Sequence, residues 1–236
     1  MWGFIIIVII ILVIIVRSGK QSQSQYKFKR YKKTGIEGER FINHILKNIS
    51  DQVGGTTFND IMLESNGNTC QIDNMLLTRK ALYVIESKDY SGWIFGSENN
   101  TYWRQTFTHY KARTSGNNYI KSGVSKYSFY NPIKQNQTHI NMLKSTLKTQ
   151  KAIPIYNIVV FGKNATIKKL EHSFENYVIT VSFLKDTVFY IENQIENELE
   201  SHLQRDIIDN ILFLDIKDPT KRQQHIDSIQ TKYKID

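Results

Sequence analysis

The sequence predicts an α/β protein: a central mixed β-sheet flanked by helices, preceded by one N-terminal transmembrane helix and followed by a helical tail. Three observations carry this. Between Thr69 and Tyr90 two short apolar runs alternate at the period of a strand and meet at Thr78, Arg79 and Lys80. Segments with apolar residues at helical spacing stand on either side of them. Met1 to Val16 is uninterrupted apolar sequence. The expected organisation is an anchor over residues 1–16, a basic linker over 17–33, a globular domain over 34–181 and a helical extension over 182–236.

In chain order, the apolar run would make a helix about 24 Å long, slightly short for a hydrocarbon core of about 30 Å. Trp2 and Arg17 could anchor it at the two interfaces. No basic segment precedes the run and no small-x-small cleavage site follows it, so an uncleaved anchor fits better than a signal peptide. Residues 17–33 hold seven Lys/Arg and no acid. That bias predicts a single-pass protein of the cell membrane with its globular part in the cytoplasm, the basic linker resting on anionic headgroups.

Glu37 to Asn48 reads as an amphipathic helix through Phe41, Ile42, Ile45 and Leu46. Thr57 to Glu64 reads as a strand, followed by a hairpin turn at Asn66-Gly67-Asn68. In the next two strands Gln71 and Asp73 share one face, and Leu82, Val84, Glu86 and Lys88 share another, with Tyr83 and Ile85 behind. From Ser91 to Tyr130 the chain is polar and aromatic. Short strands are expected near Gly92–Phe95 and Thr101–Thr106, with loop elsewhere. Asn131-Pro132 starts a helix to Lys148, with proline where its missing N–H costs little. A lone His139 on that helix reads as a surface or hydrogen-bonded residue. Ile155–Phe161 and Asn176–Val181 read as strands, and three helices follow from Ser182 onward. This acidic tail reads as packing or partner surface.

The single cysteine, Cys70, excludes an internal disulfide and a cysteine zinc cluster. No Walker A, G-x-G-x-x-G or H-E-x-x-H sequence occurs, which leaves nucleotide hydrolysis, dinucleotide binding and zincin chemistry without support. The net charge of +9 is unevenly spread. Residues 99–170 carry twelve Lys/Arg and no Asp or Glu, whereas residues 34–98 carry nine acids against five bases. Basic residues interleaved with aromatics are the footprint expected for a phosphate backbone, and Arg104, Lys111, Arg113, Lys121 and Lys126 are its candidate contacts. Asp73 and Glu86, with Lys88 beside them, are equipment for metal-assisted phosphodiester hydrolysis. The plainer reading of Glu86 and Lys88 is a surface ion pair at a strand end, worth about 0–1 kcal/mol.

Asp73 followed by Glu86-Ser87-Lys88 resembles the core motif of the PD-(D/E)XK nucleases. With Gly35 to Glu39 (GIEGE), Asn59-Asp60, Gln71-Ile72-Asp73, Val84 to Gly92, Trp103, and Asn131-Pro132 with Gln135, the stretch from Gly35 to Leu147 resembles the nuclease-related domain (NERD) family. Asn74 stands where histidine is expected and Ser87 where threonine is usual. The resemblance implies a restriction-endonuclease-like core and a Mg²⁺- or Mn²⁺-dependent nuclease acting on DNA, or alternatively RNA. It implies that Asp73, Glu86 and the Ser87 backbone carbonyl hold the metal. Lys88 would orient water and stabilise the phosphorane, Glu39 would assist, and Gln71 would position Asp73. The alternative is a catalytically silent nucleic-acid-binding or scaffolding module tethered to the membrane.

Overall fold

In the computed structural model, residues 40–112, 119–147, 153–173 and 175–232 are described. The predicted anchor and linker lie outside the described residues, as does Glu39. Among the described residues no helix is long and apolar enough to cross a membrane.

Helix α1 spans residues 40–53. It leads into β1 (Thr56–Ser65), β2 (Asn68–Leu77) and β3 (Leu82–Lys88). These pair antiparallel in sequence, β3 then pairs parallel with β7 (Ile155–Phe161), and β7 with β9 (Asn176–Thr180). The result is the mixed five-stranded sheet β1-β2-β3-β7-β9. Helices cover both faces, which is why β3 and β7 are apolar nearly throughout. Tyr83, Ile85, Ile158 and Val160 pack against Ile42, Leu46 and Ile49 of α1 and against Leu184, Val188 and Ile191 of α3 (Leu184–Gln194). On the other face Leu82 and Val84 meet Ile140, Leu143 and Leu147 of α2 (Pro132–Leu147). Ile207 and Ile211 of α4 (Ser201–Leu214) join the same cluster. The alternation expected for β3 is therefore what the fold uses.

The short strands expected near Gly92–Phe95 and Thr101–Thr106 are present and longer, and much of what was expected as loop up to Tyr130 is strand too, so the segment makes most of a second sheet. β4 (Gly92–Ser97), β5 (Tyr102–Ala112), β6 (Tyr119–Tyr130) and β8 (Ala165–Glu171) lie in the order β6-β5-β4-β8. Its inner face buries Ile94 and Trp103 against Val159 and Phe161 of the first sheet. Gly96 makes room for Trp103, since a Cβ there would sit 2.3 Å from the indole ring. The outer face is left to solvent, so the hairpin carries no continuous apolar pattern and reads as polar sequence.

Asn131 fixes the start of α2. Its Oδ1 accepts from the backbone N–H of Ile133 at 2.9 Å, an N-cap, and its amide donates to the carbonyls of Ser97, Glu98 and Asn100. One residue thus ties the helix to the β4–β5 turn. Deeper along α2, the Asn136 amide donates to the Val84 carbonyl and to Asn157 Oδ1, each at 2.8 Å. These buried bonds set the helix at one height above β3.

Candidate active site

β2 and β3 separate beyond the Asn74–Ile85 pair. Continuing that register sets Asp73 opposite Glu86, on the face covered by α2. At this opening Asp73 Oδ2 accepts from the Ser87 backbone N–H at 3.0 Å and from the Ser87 hydroxyl at 2.9 Å. N–H and C=O of one strand residue point to the same side, so the Ser87 carbonyl also faces the Asp73 edge. Lys88, the next residue, turns its carbonyl the other way and accepts from Gly162 of the chain beyond β7.

Glu86 and Lys88 share the α2 face, as the alternation requires. Lys88 Nζ donates to Glu86 Oε1 at 2.5 Å and to Gln135 Oε1 at 3.0 Å. Their side chains are 1% and 17% exposed for Glu86 and Lys88 respectively, so the surface ion pair of the plainer reading is corrected to a buried one. Burial alone would pull the Lys88 pKa down, but the Glu86 and Asp73 carboxylates outweigh it and hold the ammonium above its ordinary value. Lys88 is therefore a fixed cation and a donor, not a base.

His139, expected to be a surface or hydrogen-bonded residue, is buried, with Nδ1 3.6 Å from Glu86 Oε2. Burial lowers its pKa to about 4, against the opposing pull of Asp73 and with help from Lys88. The imidazole is neutral at ordinary pH, so its contact with Glu86 is a dipolar one rather than an ion pair. A signal for it existed in the sequence: Asn136, His139, Ile140, Leu143 and Leu147 form one buried stripe.

These groups open into a cleft of about 1040 Å³. Asp73, Lys88, Gln135 and His139 line one wall, and Ser128, Phe129 and Tyr130 of β6 another. The third wall is α5 (Pro219–Lys232), through Lys221, Gln224, His225 and Ser228. The acidic tail, read from sequence as packing or partner surface, so contributes directly to the cleft. Arg222 holds α5 in place. Its guanidinium donates to Asp60 Oδ2 at 2.8 Å, to the Asp60 carbonyl at 2.9 Å, to the Ile216 carbonyl at 2.7 Å and to Asp215 Oδ1 at 3.1 Å. Asp60 has a φ of +55°, a left-handed turn within β1 that an aspartate tolerates better than most residues. His225 Nδ1 lies 2.7 Å from the Thr69 hydroxyl, a second tie to β2.

Gln71 lines the cleft, but its amide donates to Asp60 rather than to Asp73, so it braces the α5 attachment. Asn74, at the expected histidine position, pairs with Ile85 and shares the α1 face of the sheet. It is fully buried, and its amide has no hydrogen-bond partner among the described residues. Arg104 and Lys126 are exposed on the outer face of the second sheet, away from the cleft lining. Arg113 and the side chains of Lys111 and Lys121 lie outside the described residues.

Asp73, Glu86 and the Ser87 carbonyl form a set of hard oxygen donors on one edge. Among the described residues no third His, Cys, Asp or Glu completes a metal-binding cluster with them. Such a set fits Mg²⁺, which takes one or two carboxylates and keeps much of its water, better than zinc, which favours nitrogen and sulfur.

A mixed sheet that splays at an aspartate facing a Glu-x-Lys strand end defines a nuclease-related class of α/β protein. The nuclease-related domain (NERD) matches residues 34–162, more than half of the chain, and the chain belongs to that family. An uncharacterized protein of Bacillus anthracis is 25% identical over 201 residues, covering 84% of this chain and 85% of the relative. No solved structure matches significantly.

Proposed function

We propose that this protein is a metal-dependent nuclease, hydrolysing phosphodiester bonds of nucleic acid in the cleft between β3, β6 and α5. The observation that carries the reading is the grouping of Asp73, Glu86 and Lys88 on one sheet face where two strands part. Asp73, Glu86 and the Ser87 carbonyl would hold Mg²⁺ or Mn²⁺. A bound divalent cation supplies Lewis acidity to the scissile phosphate and an activated water. Lys88, kept protonated by its two carboxylate neighbours, donates to the non-bridging oxygens as charge builds on them. Gln135 restrains the ammonium through the 3.0 Å bond, and helix α2 closes the site from the solvent side of β3.

The apolar run Met1–Val16 and the basic residues after it support tethering to the cytoplasmic face of a membrane. Full-length protein then stays with membranes through salt and carbonate washing, and extraction by carbonate alone would refute the anchor.

A second reading, a silent nucleic-acid-binding module, draws on the Glu86–Lys88 pair, whose carboxylate is almost sealed from solvent. Cleavage assays with Mg²⁺ and Mn²⁺ on single- and double-stranded DNA and RNA separate the two. The nuclease reading expects metal-dependent products that disappear in Asp73→Asn and Glu86→Gln. Absence of cleavage on every substrate, or full rates in both variants, leaves only the silent module.

A further inference from the structure

The outer face of the second sheet carries an ordered arrangement that the cleft does not account for. Pairing across β8, β4, β5 and β6 lines up Lys169, Phe95, Arg104 and Ser128 in one row. The neighbouring row is Thr166, Trp93, Thr106 and Lys126. Trp93 is 44% exposed, and Tyr102, two residues before Arg104 on the same face, is 58% exposed. Cations attend the rings: Lys168 Nζ lies 5.0 Å from the Trp93 ring centroid and the Arg104 guanidinium 5.0 Å from that of Phe95. A face packed against protein would not leave a tryptophan and a tyrosine this open beside positive charge, in which Lys169 is offset by Glu171 at 3.2 Å. Residues 99–170, which supply most of it, contain no acid.

A nucleotide carries a flat base and an anionic phosphate on a short linker, and each ring with its cation offers both counterparts side by side. The geometry points to this face as a binding platform for single-stranded nucleic acid. Base faces are accessible for stacking in a single strand and hidden within a duplex, and a sheet surface with exposed aromatics suits the former. The platform also continues into the cleft. Ser128 ends the Phe95–Arg104 row, Tyr130 pairs with Tyr102, and both residues of this edge strand line the cleft wall. A strand lying across the rows passes over β6 towards Lys88. The inference names the substrate class of the proposed nuclease and rests on that reading for its biological sense, whereas the binding itself does not.

The test uses the full chain in detergent with EDTA, so that nothing is cleaved. Binding of labelled oligothymidylate, oligouridylate and a matched DNA duplex is followed by anisotropy, and the part of the tryptophan emission change that Trp2 and Trp103 do not account for, lost in Trp93→Ala, reports contact at the platform. Trp93→Ala and Tyr102→Ala should each weaken single-strand binding by roughly 5- to 150-fold, the span of measured stacking contributions, and leave duplex binding nearly unchanged. Trp93→Phe should recover most of the loss, because the phenyl ring restores a stacking face. Arg104→Ala should lower the salt slope by about 0.7, the value for one phosphate contact to a single strand. The seven cations of residues 17–33 act on every variant alike, so the differences between variants carry the result. Preference for the duplex, equal losses on both substrates, or unchanged affinity in both alanine variants overturns the platform. Intact single-strand binding without cleavage on adding metal refutes the nuclease reading and leaves the platform standing; cleavage with an inert platform does the reverse. Comparing oligouridylate with oligodeoxyuridylate, which differ only in the 2′-hydroxyl, assigns the sugar.

Discussion

Replacing Arg222 by methionine keeps an aliphatic stem along α5 and removes the guanidinium that ties this helix to β1. Four hydrogen bonds go, to Asp60 Oδ2, the Asp60 carbonyl, the Ile216 carbonyl and Asp215 Oδ1. They do not count equally. Asp60 is 61% exposed at its side chain, so that ion pair is worth about 0–1 kcal/mol. Asp215 is completely buried, and breaking a buried pair typically costs about 3–5 kcal/mol. Its carboxylate keeps the Met62 backbone N–H and the Lys217 ammonium, which places the loss at the low end. The expected destabilisation is about 3 kcal/mol, or a fall in Tm of roughly 6–12 °C at the sensitivity usual for a domain of this size. Urea unfolding followed by circular dichroism measures it. Lys221→Met is the control on the same helix, because its bond to Glu64 is between exposed groups and worth at most about 1 kcal/mol. A double-mutant cycle with Asp215→Asn should return most of the effect as coupling. If Arg222→Met costs no more than Lys221→Met, or the cycle shows no coupling, Arg222 is not what holds the cleft wall.

Lys88→Ala should both abolish cleavage and lower stability by several kcal/mol, since it strands the buried Glu86 carboxylate; Glu86→Gln should abolish cleavage at a smaller cost, and equal melting of the two variants would contradict the burial described. Gly96→Ala should cost about 1–3 kcal/mol or more in thermal unfolding, because its Cβ would meet the fully buried Trp103 ring at 2.3 Å; an unchanged Tm would refute that packing. Burial pushes the Cys70 thiol up to about 12, so at pH 8 it should resist thiol reagents in the folded protein and react in urea; rapid labelling of the native chain would refute its burial behind the cleft wall.

What could be read from the sequence follows from how each element buries its side chains. β3 was legible because Leu82 and Val84 alternate with Tyr83 and Ile85 and the strand then ends in Glu86 and Lys88. That same alternation brings the two charged groups to the α2 face. Burial of the pair was not legible, for it depends on α2 being set over β3 by Asn131 and Asn136, which are contacts between distant segments. The β5–β6 hairpin escaped because only one of its faces is covered and, between Trp103 and Phe129, that face holds Gln105, Phe107, Ser125 and Tyr127, with no aliphatics to show a period. Helix α5 was visible as a helix, but its attachment runs through polar side chains, Arg222, His225 and Lys221, rather than an apolar stripe. Nothing in a hydrophobic pattern could therefore direct it to β1.

The groups assigned to bond breaking, Asp73 to His139, lie within the stretch that the family shares, and the α5 wall lies beyond residue 162. One short segment, fastened through Arg222 to Asp60 of β1 and through His225 to Thr69 of β2, forms that wall. Inheritance of the reaction and inheritance of what fits against it are separable in this fold. Grafting residues 215–232 from a relative moves Asp215 with Arg222, but the graft must still fit Asp60 and Thr69, which stay behind on β1 and β2.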